Sequence, residues 1–279
     1  MRRLLFLSLL VFVFTAGAVP PNQVHLSTTS DPSVNVVVTW QTYDSAPVSV
    51  VQYGLTPALG SVVDSLQYTY FGYAGYMHNA TLASLTPATT YYYRVSDGVD
   101  WSSTFNFTTA PLVGSTSTFT AVAWGDQGYG NGAVPAAAAA INPQIALIAG
   151  DLAYSSDEEN VDLFFDNIQP IASHAFFMAA PGNHEYVDFG PGSDNLTTYV
   201  NRFAFPNNGR YSYLNERTYS INYGNAHFAF LDLGRSAGDE RDQVNSSEVA
   251  AWLDADLASV PSSIKWLVVV LHFNLYSSS

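Results

Sequence analysis

Residues 145–154 read Ile145-Ala146-Leu147-Ile148-Ala149-Gly150-Asp151-Leu152-Ala153-Tyr154. The apolar run Ile145 to Ala149 predicts a buried strand, and Gly150 lets the backbone turn sharply where it ends, so that Asp151 can point into a crevice. The same arrangement occurs on either side. Phe119 to Trp124 ends in Gly125-Asp126-Gln127-Gly128, and Ala175 to Ala180 ends in Pro181-Gly182-Asn183-His184-Glu185. Helical patterns at Ala133 to Ile141 and Glu158 to Ile171 separate the three runs. Strand, helix, strand, helix, strand implies a layered α/β domain, and right-handed crossovers bring its strand ends to one edge, where ligands sit. One Gly-Asp pair also marks ordinary turns. Three polar turns in succession, each closing an apolar strand, predict a site.

Upstream the period changes. From Pro20 to about Pro111, short runs rich in Val, Thr and Tyr alternate with turn residues, as at Val34 to Thr42, Val48 to Tyr53 and Tyr91 to Val95. These predict a small all-β sandwich. Within Leu85-Thr86-Pro87-Ala88-Thr89-Thr90-Tyr91, a Tyr opening a late strand looks like the tyrosine corner of immunoglobulin-type and fibronectin type III-like sandwiches, which makes Trp40 a core residue. The expected division is a leader at 1–18, a sandwich at 19–111 and an α/β domain at 112–279, joined around Ala110 to Ser117.

Composition narrows the chemistry. The 279 residues are 48% hydrophobic and only 11% charged, enough for two cores and incompatible with disorder as the main state. Against 9 Lys plus Arg stand 23 Asp plus Glu, a net charge of -14 that repels a polyphosphate backbone, so nucleic acid is not an expected partner. With no Cys, a disulfide scaffold, an interchain disulfide, a thiolate nucleophile and a Cys-ligated zinc are excluded together. Any metal must be held by Asp, Glu, His, Asn or Tyr.

Arg2 and Arg3, the apolar run Leu4 to Phe14 and the small residues Ala16-Gly17-Ala18 follow the order of a secretory signal peptide. That run is shorter than the roughly 18 residues a membrane span needs, so no membrane association is expected once it is removed. Sequons at Asn79, Asn106, Asn195 and Asn245 suit a secreted glycoprotein, outside the cell or in a vacuolar or lysosomal compartment.

With these residues in view, the chain resembles the metallophosphoesterases, and among them the purple acid phosphatases. Tyr154 discriminates: Gly-Asp-x-x-Tyr at 150–154 is similar to the pattern in which a phenolate binds a ferric ion. Val269-Val270-Leu271-His272 matches the family's Val-x-x-His, at the end of the apolar run Trp266 to Leu271. Weaker marks lie between, at Tyr199 to Pro206, at Tyr219, Gly224 and His227, and at Trp252 to Leu257. The resemblance covers about residues 20 to 279 and, with the sandwich in front, is similar to the two-domain form. His227 is expected to be a strand residue without a catalytic part.

The resemblance implies the roles. Asp126, Asp151 and Tyr154 would face Fe(III); Asp151, Asn183 and His272 would face a divalent Zn, Fe or Mn, with Asp151 bridging. A hard ferric ion suits phenolate and carboxylate, while the divalent ion accepts imidazole and amide oxygen. The implied reaction is acid hydrolysis of phosphate monoesters by a hydroxide bridging the ions or bound to Fe(III), with His184 contacting the phosphate or assisting the leaving alkoxide. The family's Gly-His-x-His, one imidazole for each ion, is absent, and the sequence stops seven residues past His272. The expectation is therefore a C-terminally truncated phosphatase. A non-catalytic secreted glycoprotein, and a related enzyme for phosphodiesters or nucleotides, are the alternatives.

Overall fold

The computed structural model describes residues 19–190, 196–235 and 244–273. The leader at 1–18 and the sequon at Asn195 lie outside them. Eight strands build the sandwich: β1 (Asn22–Ser27), β2 (Val36–Thr42), β3 (Val50–Gly54), β4 (Ser61–Asp64), β5 (Leu66–Tyr68), β6 (Tyr76–Leu82), β7 (Thr90–Ser96) and β8 (Phe105–Thr108). One layer runs β4-β3-β7-β8 and the other contains β5-β6-β2-β1. Strand β2 is buried along its whole length, with Trp40 fully enclosed and stacked on His78 at 5.2 Å between ring centroids. The tyrosine corner is present: the Thr86 backbone N–H donates to the Tyr91 hydroxyl at 3.0 Å.

The α/β part contributes β9 (Ala121–Trp124), α1 (Ala133–Ala140), β10 (Ile145–Ala149), α2 (Glu158–Ala172), β11 (Phe176–Ala180), the single turn α3 (His184–Val187), α4 (Thr197–Arg202), β12 (Tyr219–Tyr223), β13 (Ala226–Phe230), α5 (Ser246–Ser259) and β14 (Trp266–Val270). Strands β9, β10 and β11 are parallel neighbours, as the alternation predicts. Helix α2 starts where the Asp157 side chain accepts from the Glu159 N–H, with Glu158 and Glu159 complementing the positive end of the helix. It buries Val161, Phe164, Phe165, Ile168 and Ile171, a stripe at three- and four-residue spacing that packs on β1 and β11.

Two features go beyond the sequence reading. Strand β1 pairs in parallel with β11 at Leu26 and Phe176, so one seven-stranded sheet, β5-β6-β2-β1-β11-β10-β9, crosses from sandwich to α/β domain. Strand β14 does not join it; with β12 and β13 it forms a separate sheet. The domain junction is also charged. Arg202, fully buried, donates to Gln23 on β1, to the Tyr70 hydroxyl, and to Glu158 and Asp162 on α2, and its guanidinium lies 4.3 Å over the Tyr73 ring.

Of the sequons, Asn106 is exposed on β8, Asn79 is half-buried on β6, and the Asn245 side chain caps α5 by accepting from the Ser247 and Glu248 N–H groups. His227 sits on β13, between Asn222 and Asp256 at 2.8 and 2.7 Å, where it ties α5 to the sheet. Among the described residues no helix is long and apolar enough to cross a membrane.

Candidate metal centre

The turns after β9 and β10 run side by side beyond the strands themselves. Backbone N–H groups of Asp126, Gln127, Gly128 and Tyr129 donate in turn to the carbonyls of Gly150, Asp151, Leu152 and Ala153, at 2.8 to 3.1 Å. This ladder sets Asp126 beside Asp151. Both residues, and Tyr154, adopt left-handed backbone with φ near +55°. That region is sparsely populated by residues other than Gly and costs on the order of 1–3 kcal/mol each, a strain that clusters at functional sites.

Two glycines let the strand ends close. A Cβ on Gly150 would lie 2.6 Å from the Gly182 nitrogen and 2.8 Å from the His272 Cβ; one on Gly182 would lie 2.2 Å from Asp151 Oδ1 and 2.9 Å from His272 Cγ. Only glycine fits between the second turn, the third turn and the end of β14.

The side chains converge. One ligand atom each from Asp126, Asp151 and His272 lies within 4.8 Å of the others. The Tyr154 hydroxyl donates to Asp126 Oδ1 at 2.6 Å. His272 Nε2 lies 3.1 Å from Asn183 Oδ1 and 3.3 Å from Asp151 Oδ2, while its Nδ1 donates to the Ala149 carbonyl at 2.9 Å. That second bond is the kind that orients a metal-binding imidazole and leaves the other nitrogen for the ion. All five residues expected to bind metal therefore stand around one place. Asp151 is buried at its centre, and Asp126 is exposed at its rim.

Electrostatics fit a cation. The hydrogen bond to Asp151, against the cost of burial, pushes His272 up to about 9. Burial raises Asp151, yet hydrogen bonds from His272, the His184 N–H and Tyr154 outweigh it and hold that carboxyl below its usual range. Burial, then hydrogen bonds to Asp126 and Asp151, push the Tyr154 phenol far up. A proton now bridges groups that a metal would bridge, and three carboxylate or phenolate oxygens with an imidazole and an amide oxygen form a donor set suited to hard and borderline ions.

His184, the expected catalytic residue, stands beside this cluster, with Nε2 3.9 Å from Asp151 Oδ2 and its ring 4.2 Å from that of Tyr154. The turn bearing it is pinned to the second sheet: the Tyr186 hydroxyl donates to Asp232 at 2.6 Å, and Arg217 donates to both Asp232 and Tyr186.

One residue escaped the sequence reading. Glu185, fully buried, accepts at Oε2 from the Asp151 and Gly182 N–H groups, each at 2.7 Å, and at Oε1 from the Leu152 N–H at 2.8 Å. It clamps the second turn to the third. Burial pushes its carboxyl up to about 7, against the pull of the backbone donors. The signal was its type: an acid directly after two candidate site residues, in the turn that closes an apolar strand.

Comparison with known proteins identifies the family of the chain. Residues 21–109 match the model of the purple acid phosphatase N-terminal domain, and residues 130–279 that of the calcineurin-like phosphoesterases. Purple acid phosphatase 22 of Arabidopsis thaliana is 31% identical over 270 residues, covering 93% of this chain and 58% of that protein. Human acid phosphatase type 7 is 29% identical over 285 residues, covering 95% and 61%. The chain thus spans about three fifths of the length of these relatives. A solved structure, the purple acid phosphatase PPD1 from yellow lupin seeds, superposes with a TM-score of 0.67 at 23% identity, over 89% of this chain and 50% of the other, which supports the fold.

Proposed function

The chain belongs to the purple acid phosphatase family of calcineurin-like phosphoesterases, and we propose that it hydrolyses phosphate monoesters in acid at a pair of metal ions, Fe(III) with Zn, Fe or Mn. The observation carrying this reading is the convergence of Asp126, Asp151 and His272 within 4.8 Å, with Tyr154 on Asp126 and Asn183 on His272. Asp126, Asp151 and Tyr154 would hold the ferric ion and Asp151, Asn183 and His272 the divalent one. Bound there, the ions would lower the pKa of water and neutralise phosphoryl oxygens.

The protein's own groups do the rest. Asp151, buried and shared, would fix the spacing of the ions. His184, partly open to solvent at the rim, would meet the ester's leaving oxygen and give it a proton. The left-handed turns at Asp126, Asp151 and Tyr154 hold the donors ready before metal arrives, which reduces the reorganisation that binding requires.

The acidic balance of the chain supports a small anionic ester held by cations over a nucleic acid. The leader-like residues 1–18 and the sequons at Asn79, Asn106, Asn195 and Asn245 support export as a glycoprotein to the cell exterior or a vacuolar or lysosomal compartment. The domain limits 19–111 and 112–279 belong to the same reading. No Gly-His-x-His occurs in these 279 residues, so the experiment must read metal retention first.

Iron and zinc are measured in purified protein, together with the visible spectrum and phosphate release from 4-nitrophenyl phosphate at acid pH. Bound iron, a phenolate-to-Fe(III) band lost in Tyr154→Phe, and phosphate release are expected. A colourless, iron-free but active protein would overturn the ferric assignment; cleavage of bis(4-nitrophenyl) phosphate alone would favour a diesterase.

A further inference from the structure

His184 is held from behind. Its Nδ1 lies 2.6 Å from Oδ1 of Asp188, and the Asp188 backbone N–H donates to the His184 carbonyl at 2.9 Å, so side chain and backbone both tie the two residues together. An ionised carboxylate only accepts hydrogen bonds, which places a proton on Nδ1. Nε2 is then turned to the other side of the ring, toward Asp151 at 3.9 Å. The Tyr154 ring at 4.2 Å limits rotation on the flank.

We propose that Asp188 is a positioning residue for His184: it holds the Nδ1 proton and thereby presents Nε2 to the leaving oxygen of a phosphate ester bound at the strand ends. The idea rests on the hydrolytic function proposed above. In the step itself, hydroxide from water adds to phosphorus and the bond from phosphorus to the leaving oxygen breaks, its electron pair staying on that oxygen. The Nε2 proton of the imidazolium passes to it, and the ring, neutral with its proton on Nδ1, regains a proton equal to the one water gave up. Without Asp188 the ring is free to turn over, and Nε2 then faces away from the leaving oxygen. Orienting partners of this kind change activity by about 10–100-fold.

The test uses the full 279-residue chain, with Asp188→Ala and Asp188→Asn. Nitrogen-15 imidazole spectra at neutral pH are expected to show Nδ1–H for His184 in the parent, loss of that tautomer in Asp188→Ala, and its retention in Asp188→Asn, whose amide oxygen still accepts. An Nε2–H ring in the parent, or an unchanged ring in Asp188→Ala, would overturn the proposal. In the metal-loaded protein, Asp188→Ala is expected to lower kcat for an alkyl phosphate by about 10–100-fold with KM unchanged, and to lower it much less for 4-nitrophenyl phosphate, whose phenolate departs without a proton. Equal losses on the two esters would overturn the leaving-group role. If the parent hydrolyses neither ester, the proposed function fails, and the ring spectra alone decide whether Asp188 sets the tautomer. Should Asp188→Ala not fold, Asp188→Asn against the parent carries the same comparison, with a lost Nδ1–H counting against the proposal.

Discussion

The Asp151 backbone N–H and the Glu185 carboxylate meet at 2.7 Å, and the same oxygen takes the Gly182 N–H, so the residue at the centre of the site is held by a side chain rooted in the neighbouring turn. Three backbone donors converge on two acidic oxygens. Glutamine can supply only one acceptor oxygen, so Glu185→Gln would set an NH2 against at least one of them, and a buried donor left unpaired costs about 1–3 kcal/mol. Glu185→Gln is therefore expected to lower the Tm and to weaken metal retention. Thermal melts with and without chelator, and metal content after dialysis, check both. Full metal retention in a stable variant would show that the clamp does not set the site.

Gly182 is the tightest point of the centre. A methyl there would press on Asp151 Oδ1 at 2.2 Å and on His272 Cγ at 2.9 Å, separations that atoms do not sustain. Gly182→Ala is expected to displace both ligands and abolish metal binding, with far-UV circular dichroism still native. Gly130→Ala, which meets nothing within 4 Å, serves as the control. Calorimetric titration with a divalent ion separates the two variants.

The turns at Asp126, Asp151 and Asn183 were legible because each closes an apolar strand with a glycine at hand, a pattern local in sequence. His272 was reached through the Val-x-x-His resemblance; nothing in residues 266–272 showed that its strand belongs to a second sheet, since sheet membership depends on pairing with β13, some 40 residues earlier. Glu185 and Arg202 were within stretches already singled out, yet their roles depend on partners 33 and 179 positions away. The single pair Leu26 and Phe176 that joins the two domains into one sheet likewise leaves no trace in periodicity. Local pattern located the site; distant partners decide how it is held.

Arg202 offers a test of that junction. It is fully buried and neutralises Glu158 and Asp162 while bonding Gln23 of the sandwich. Removing one partner of a buried ion pair leaves uncompensated charge and costs about 3–5 kcal/mol. Arg202→Met keeps much of the stem's packing but strands two carboxylates, so a loss of that order is expected, with both domains melting in one transition at lower temperature. Calorimetry reads it. A separate, unshifted sandwich transition would show that the domains do not share stability through Arg202.

His78 sets an acid limit on the sandwich. Its ring is fully buried against Trp40, with Ser49 Oγ at 3.0 Å and Thr42 Oγ1 at 2.9 Å, hydroxyls that satisfy a neutral imidazole. Burial lowers its pKa to about 4. The unfolded chain takes up this proton near 6.5 and the folded one does not, so the contribution of neutral His78 is complete above pH 6.5 and is lost as pH falls through about 4. A displacement of that size corresponds to on the order of 3 kcal/mol. Urea unfolding between pH 7 and 4 is expected to show stability falling with pH, and the fall should be shallower in His78→Gln. The imidazole proton resonances of His78 should titrate with a midpoint near 4; a midpoint near 6.5 would mean that the sandwich admits the charged ring, and with it that acid leaves this domain intact.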